Sequence, residues 1–412
     1  MPSSTLSLGG VDYDLLSSLD NSELEDLEEQ GLQISSRGKN LNLRVNDGLP
    51  LEGLALGITA STLGITASTN LNIKGDLTDF IVGLGNDRDT ININGDISGV
   101  DISTDQQSAT GHDLLVVNGN ITGSDNLEIN QFAMFGGNDT VRLLGEVDDS
   151  DFHLGAGNDS LVISDLAKNV YVGGEGGRDF VEFRNLSIDV IVQSGDGDDT
   201  VIFNSITGTN YFEEAPLASV DLGAGNDVLF LNNGANNVEI NTGSGSDRLK
   251  LSESFDNSIF NLSGNSSLES SGDFVSVSAG SSFSNSLFKS DNIYGDTLVV
   301  GYRSDLIETD IDFADGNDNV IFGSNSSFTD NYFELGEGSD TLVFGSGSTF
   351  DNLIINLGDD NDNDIVRFSD DYVGDILIIG GNAGDVLWIG AQEISYSDDS
   401  YYFDNKFISQ HS

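Results

Sequence analysis

The stretch LGAGNDSLVI, Leu154–Ile163, decides the fold. Its first half is a glycine-rich turn ending in Asp159, and its second half alternates, with Leu161 and Ile163 apolar. The turn returns as LGAGND at Leu222–Asp227, with near-copies ending at Asp139 (FGGND), Asp199 (GDGDD), Asp247 (GSGSD), Asp318 (DGND) and Asp340 (GEGSD). One aspartate per turn gives Asp89, Asp113, Asp139, Asp159, Asp179, Asp199, Asp227, Asp247, Asp273, Asp296, Asp318, Asp340, Asp364 and Asp385, spaced by about 23 residues on average. Two and four residues after every one of them stands an apolar pair, from Ile91/Ile93 to Leu387/Ile389. The residue between can be Arg142, Glu182 or Lys250. Period-two alternation of this kind is a strand with one face inward.

A second alternating segment fills the other half of each repeat, as in Val170/Val172, Val190/Val192, Val238/Ile240, Phe333/Leu335 and Ile355/Leu357. Turn-formers such as SDLAKN (Ser164–Asn169) and GSNSSFTDN (Gly323–Asn331) lie between. Each repeat therefore reads as strand, polar turn, strand, glycine-rich turn, and stacked repeats bury a core that none could bury alone. The expected fold is all-β: a parallel β-solenoid, β-roll or β-helix-like, of about 14 rungs. Residues 51–392 form it, residues 1–50 cap its start and residues 393–412 close its end. In the first cap, Leu15, Leu16, Leu19, Leu24 and Leu27 predict a helix within residues 11–31, stopped at Gly31. In the last, EISYSDDSYYFDNKF (Glu393–Phe407) predicts an aromatic hairpin. Covered ends prevent edge-to-edge pairing.

Composition narrows the function. The 412 residues hold 69 Asp and Glu against 15 Lys and Arg, a net charge of −54, with 23 Phe and no cysteine. So few cations disfavour nucleic acid and anionic membranes, and no disulfide or thiolate metal site can form. The most apolar window, Leu51–Thr69, carries Glu52 and many small polar residues, and is a poor membrane span. The opening MPSSTLSLGG lacks the basic and apolar regions of a secretory signal.

Stacked rungs place the motif aspartates in a column about 4.8 Å apart, where adjacent charges repel by about 3–4 kcal/mol at an effective dielectric near 20. Calcium resolves this, since it accepts irregular sets of carboxylate and backbone carbonyl oxygens. The candidate ligands are Asp139, Asp159, Asp179, Asp199, Asp227, Asp247, Asp318, Asp340 and Asp364. The alternative is a metal-free ladder, because Asn and Asp also stabilise turns through their own hydrogen bonds.

Gly155–Val162, GAGNDSLV, resembles the calcium-binding nonapeptide of the RTX (hemolysin-type) proteins, G-G-x-G-x-D followed by an alternating strand. The likeness recurs over about residues 83–389. It implies a parallel β-roll with Ca²⁺ between successive glycine-rich turns, and export by a type I route with an uncleaved C-terminal signal. The chain departs from the pattern in placing Leu154, Leu222 or Leu335 at the first glycine. Its period of 20 to 24 residues, rather than nine, puts the motif on one edge only.

His112, His153 and His411 are the only histidines, and no cluster of Arg, Lys, His and Tyr stands out for catalysis. The field also repels an acidic polymer. The resulting expectation is a non-enzymatic, calcium-binding, rod-like extracellular protein, structural or adhesive, at a cell surface, in a surface layer or in a matrix. It docks on a cell-surface, capsid or matrix component through one end or flank, with homo-oligomers possible. The alternatives are a virion appendage of a marine phage (a fibre, spike or capsid decoration) and a β-helix enzyme acting on polysaccharide.

Overall fold

The computed structural model describes residues 70–395, except 75, 79–80, 84–87, 105–110, 124–128, 210–217, 263–271, 291–292, 359–361 and 383. Beyond them it describes the backbone of the strands Ser4–Leu8, Val11–Leu15, Gln33–Arg37, Asn40–Arg44, Ala55–Gly57, Ser400–Asp404 and Phe407–His411. Each of the fourteen aspartates is followed immediately by a strand, from Thr90–Asn94 after Asp89 to Val386–Ile389 after Asp385. The chain is an all-β parallel solenoid in two compact units, Met1–Thr200 and Val201–Ser412.

In the first unit these strands stack in parallel register, with Leu71, Ile91, Leu115, Val141, Leu161 and Val181 directly above one another. A second column runs through Phe132, Phe152, Val172 and Val192. The second unit repeats the plan with Leu229, Leu249, Val275, Leu298, Val320, Leu342, Val366 and Leu387 in one column. All of these side chains are buried. The rise of one rung per strand spacing lets equal rings stack, as in Phe132 on Phe152 at 4.6 Å and Phe344 on Phe368 at 4.8 Å between centroids.

The rung differs from its sequence reading in one respect. What reads as a polar turn contains a third, short strand, with its own inward column: Ala235, Phe255, Phe283, Leu306, Phe328 and Phe350 in the second unit, and Ile97, Ile121, Val147, Ala167 and Ser187 in the first. Two residues after most of these the backbone turns through positive φ, at Asp149, Asn169, Asp189, Asn237, Asn257, Asn285, Glu308, Asp330 and Asn352. Asn and Asp tolerate this left-handed conformation because their short polar side chains bond locally. Here they also bond between rungs: the Asn169 amide donates to Asp149 at 2.9 Å and that of Asn352 to Asp330 at 2.8 Å.

The ends are built from hairpins. Val11–Leu15, expected in the helix, is a strand paired antiparallel with Ser4–Leu8. VDYDL alternates with period two, and the Gly-Gly dipeptide before it is a hairpin signal in the sequence. The rest of that expected helix, residues 16–31, lies outside the described residues. At the C-terminus, Gln392–Ser395 folds back antiparallel on Val386–Ile389, and Ser400–Asp404 pairs antiparallel with Val373–Ile379 and with Phe407–His411. The parallel ladder therefore ends in antiparallel strands, as the hairpin reading expected.

Register sets the sensitivity to mutation. Leu161 and Phe203 are fully buried, whereas Thr200 faces outward. Leu161→Ala and Phe203→Ala are each expected to lower stability by about 2–5 kcal/mol, and Thr200→Ala by less than about 0.5 kcal/mol. Denaturant unfolding of the three variants checks this, and equal losses at Thr200 and Phe203 contradict the register.

Candidate metal centre: a buried column of aspartates

The regular motif turns reverse the chain through two residues at positive φ, such as Gly155 at 96° and Gly157 at 147°, with Phe135 and Glu175 taking the first position before Asp139 and Asp179. The same pair recurs at Gly223 and Gly225, Gly243 and Gly245, and Gly336 and Gly338. Between them Gly136, Ala156, Gly176 and Asp196 form parallel bridges from rung to rung. The turn then brings its aspartate inward. All nine proposed ligands are buried: Asp139, Asp159, Asp179, Asp199, Asp227, Asp247, Asp318, Asp340 and Asp364 are at most 2% exposed.

One carboxylate oxygen of Asp139, Asp159, Asp179, Asp199, Asp247, Asp318, Asp340 and Asp364 is committed to the backbone. The Asp139 N–H donates to Asp159 Oδ1 at 2.7 Å, that of Asp159 to Asp179 at 2.8 Å, and that of Asp179 to Asp199 at 2.7 Å. In the second unit the same bond links Asp227 to Asp247, Asp247 to Asp273, Asp296 to Asp318, Asp318 to Asp340, and Asp340 to Asp364. Sequence reasoning placed these side chains in one column but missed this bond. It satisfies a backbone donor that a tight turn otherwise strands. A second ladder, of asparagines, runs in the opposite sense: the Asn158 N–H donates to Asn138 Oδ1, and the Arg178 N–H to Asn158 Oδ1, both at 2.8 Å.

The other oxygen differs. Oδ2 of Asp139, Asp159, Asp179 and Asp318 is buried and has no hydrogen-bond partner among the described residues. Burial, aided by neighbouring carboxylates, pushes Asp139, Asp179 and Asp318 up to about 7 and Asp159 up to about 8. Asp199 rises to about 6 for the same reason. Neither protonation state is comfortable. An ionised carboxylate sits desolvated beside its like, and a protonated one offers an O–H with no acceptor in place. A hard cation satisfies the orphaned oxygens, so these residues fit calcium on chemical grounds.

The fit is to one carboxylate per turn. Among the described residues no three of His, Asp or Glu converge as a metal-holding group, so backbone carbonyls must complete any shell. The degenerate turns differ again. Asp273 Oδ2 accepts the Thr242 hydroxyl at 2.7 Å, and Asp385 Oδ2 accepts the Asn382 N–H at 2.6 Å. Both already have donors where Asp139, Asp159, Asp179 and Asp318 have none.

No family model matches the chain, and no curated protein matches it. Among solved structures, a hyperactive, Ca²⁺-dependent, β-helical antifreeze protein from an Antarctic bacterium aligns over 88% of this chain and 96% of its own. The identity is 15% and the TM-score 0.41, too remote a likeness to transfer any property.

Proposed function

We propose that the chain is a calcium-stabilised, non-enzymatic structural or adhesive protein that works outside a cell. The observation carrying the calcium reading is the row of buried, unpartnered Oδ2 atoms on Asp139, Asp159 and Asp179, one per rung. Calcium at these turns draws on the aspartate carboxylates and on glycine-turn carbonyls, and supplies the positive charge that a column of buried carboxylates lacks. Such a site holds the edge of the solenoid together and leaves the chemistry of the surface to the outward-facing strands.

The non-enzymatic reading rests on the histidines and their surroundings. His112 Nδ1 accepts the Asn138 N–H at 2.6 Å, a structural bond within the turn column. His153 lies 3.8 Å from Glu175 on a half-exposed face and packs against the Tyr171 ring, whose hydroxyl donates to Gln193 at 2.8 Å. An extracellular setting suits weak sites that need abundant calcium, and the acidic surface suits saline water.

Thermal unfolding of calcium-stripped protein, with and without a few millimolar Ca²⁺ at pH 8, tests the reading. Calcium binds the native state alone, so each site filled at 100 times its Kd adds about 2.7 kcal/mol. A marked rise in Tm is expected with Ca²⁺, and a smaller one with Mg²⁺, which resists irregular oxygen cages. A Tm indifferent to calcium at low salt identifies the column as a metal-free ladder.

A further inference from the structure

The outward face of the motif strands in the second unit carries no carboxylate, although the chain as a whole is strongly acidic. Eight parallel strands build it, from Val228–Leu231 through Arg248–Leu251 to Val386–Ile389, each showing two residues outward. None of those outward residues is Asp or Glu, in a protein with 69 of them. On the antiparallel strand that follows, Glu393 pairs in register with Trp388. Strand propensity alone does not explain the missing carboxylates, because other strands of the same unit turn Glu239, Asp310, Asp312 and Glu334 outward.

Three cations occupy the face instead: Arg248 and Lys250 on one strand, and Arg367 on another. All three are exposed. The ion pairs formed by described residues are His153–Glu175, Lys168–Asp148 and Arg184–Glu182, all in the first unit, so none of the three cations is in one. Each has an aromatic neighbour in register. Phe230 lies beside Lys250, Phe274 beside Arg248, and Arg367 stands 5.0 Å from the centre of the Trp388 ring. Phe274 is 42% exposed. Between the two cationic ends the face is mainly threonine and aliphatic.

We propose that this face binds an acidic polysaccharide lying along the stacked rungs. Unpaired guanidinium and ammonium groups bind sugar carboxylates or sulfates, and exposed aromatic faces take the C–H face of a pyranose ring. The charge spacing selects the class of polyanion. Lys250 and Arg367 are five rungs apart, about 24 Å. Duplex nucleic acid carries about 14 negative charges over that length, which three cations on a strongly acidic chain cannot hold. A polyuronate carries at most one charge per sugar and presents apolar ring faces between them. The general field opposes an acidic polymer at long range, but with a Debye length of about 8 Å at physiological salt the local cations decide at contact.

Co-sedimentation and affinity electrophoresis with carboxymethyl-dextran, unmodified dextran and duplex DNA test this, in calcium and in its absence. Retardation by carboxymethyl-dextran is expected, weakening with salt, with little by dextran and none by DNA. The double variant Arg248→Ser/Lys250→Ser is expected to weaken binding at least about tenfold, at one charge-assisted contact per residue. Lys289→Ser, on a different strand column, is expected to leave it unchanged. Circular dichroism establishes that each variant remains folded; if the double variant does not, Arg367→Ser replaces it. The proposal is overturned by no binding to carboxymethyl-dextran, by equal losses in the double variant and Lys289→Ser, or by equal binding of dextran. It is also overturned if sedimentation equilibrium shows that the double variant abolishes self-association while polymer binding stays intact, which assigns the face to a second copy of the chain.

Discussion

Gly157→Ala is expected to destabilise the first unit by at least about 3 kcal/mol, although it adds a single methyl group to a surface turn. Gly157 has φ of 147°, a region that L side chains rarely adopt. A Cβ built there collides with the carbonyl oxygen of Gly137 in the preceding rung. That atom is backbone, held in the ladder by the Gly137 N–H donating to Ala156 O at 2.8 Å, so it cannot rotate away as a side chain can. The conflict repeats up the column: Gly177 meets Gly157, and Gly197 meets Gly177. Ala156, one residue earlier, is exposed, and its equivalents are Gly136, Gly176 and Asp196. Ala156→Ser is therefore expected to be nearly neutral, within about 0.5 kcal/mol. Urea unfolding of both variants decides the matter, and similar midpoints contradict the close stacking of the turns.

That contrast shows what the sequence reveals of this fold. The motif strand was legible because fourteen aspartates each precede the same apolar alternation, and the inward and outward positions follow from it. The short middle strand was harder to see. Its signal is one apolar residue and, two positions on, Asn, Asp or Glu, as in Phe255 with Asn257, Phe283 with Asn285, and Phe350 with Asn352. A single inward residue per turn gives no periodicity within a repeat, and it emerges only when repeats are stacked. The N-terminal leucines suggested a helix by spacing, yet Val11–Leu15 joins a hairpin, because its local alternation and the preceding Gly9–Gly10 favour a strand.

The candidate site was legible to a similar depth. The aspartate column and its like-charge problem follow from the period alone. The direction of the side chains does not, since only the backbone path through the two glycines turns Asp159 inward beneath its neighbours. The partial neutralisation of the column through a backbone N–H on Oδ1, as at Asp159 and Asp179, was invisible for the same reason. Conversely, a net charge of −54 hid the uncharged and cationic face of the second unit, because a sum over the chain contains no positions.

Calcium is expected to invert the pH dependence of stability. In the metal-free protein Asp139, Asp159, Asp179 and Asp318 titrate at about 7 to 8, against an ordinary value of 3.8, because burial penalises their charged form. Between roughly pH 4 and pH 8 the native state thus binds more protons than the unfolded chain, and stability falls as pH rises. Calcium-stripped protein should therefore melt at a higher temperature at pH 5 than at pH 8. Calcium requires the ionised carboxylates, so its stabilisation is largest at pH 8 and is lost as protons displace it. The two melting curves should converge near pH 5 and diverge toward pH 8. Asp159→Asn isolates the charge: the amide oxygen can still accept the Asp139 N–H, while the ionisable group is gone. This variant is expected to raise the Tm of the stripped protein at pH 8 and to reduce its gain from calcium. A stripped protein that grows more stable from pH 5 to pH 8 contradicts the buried, unpartnered carboxylates. An undiminished calcium response in Asp159→Asn places the ion elsewhere.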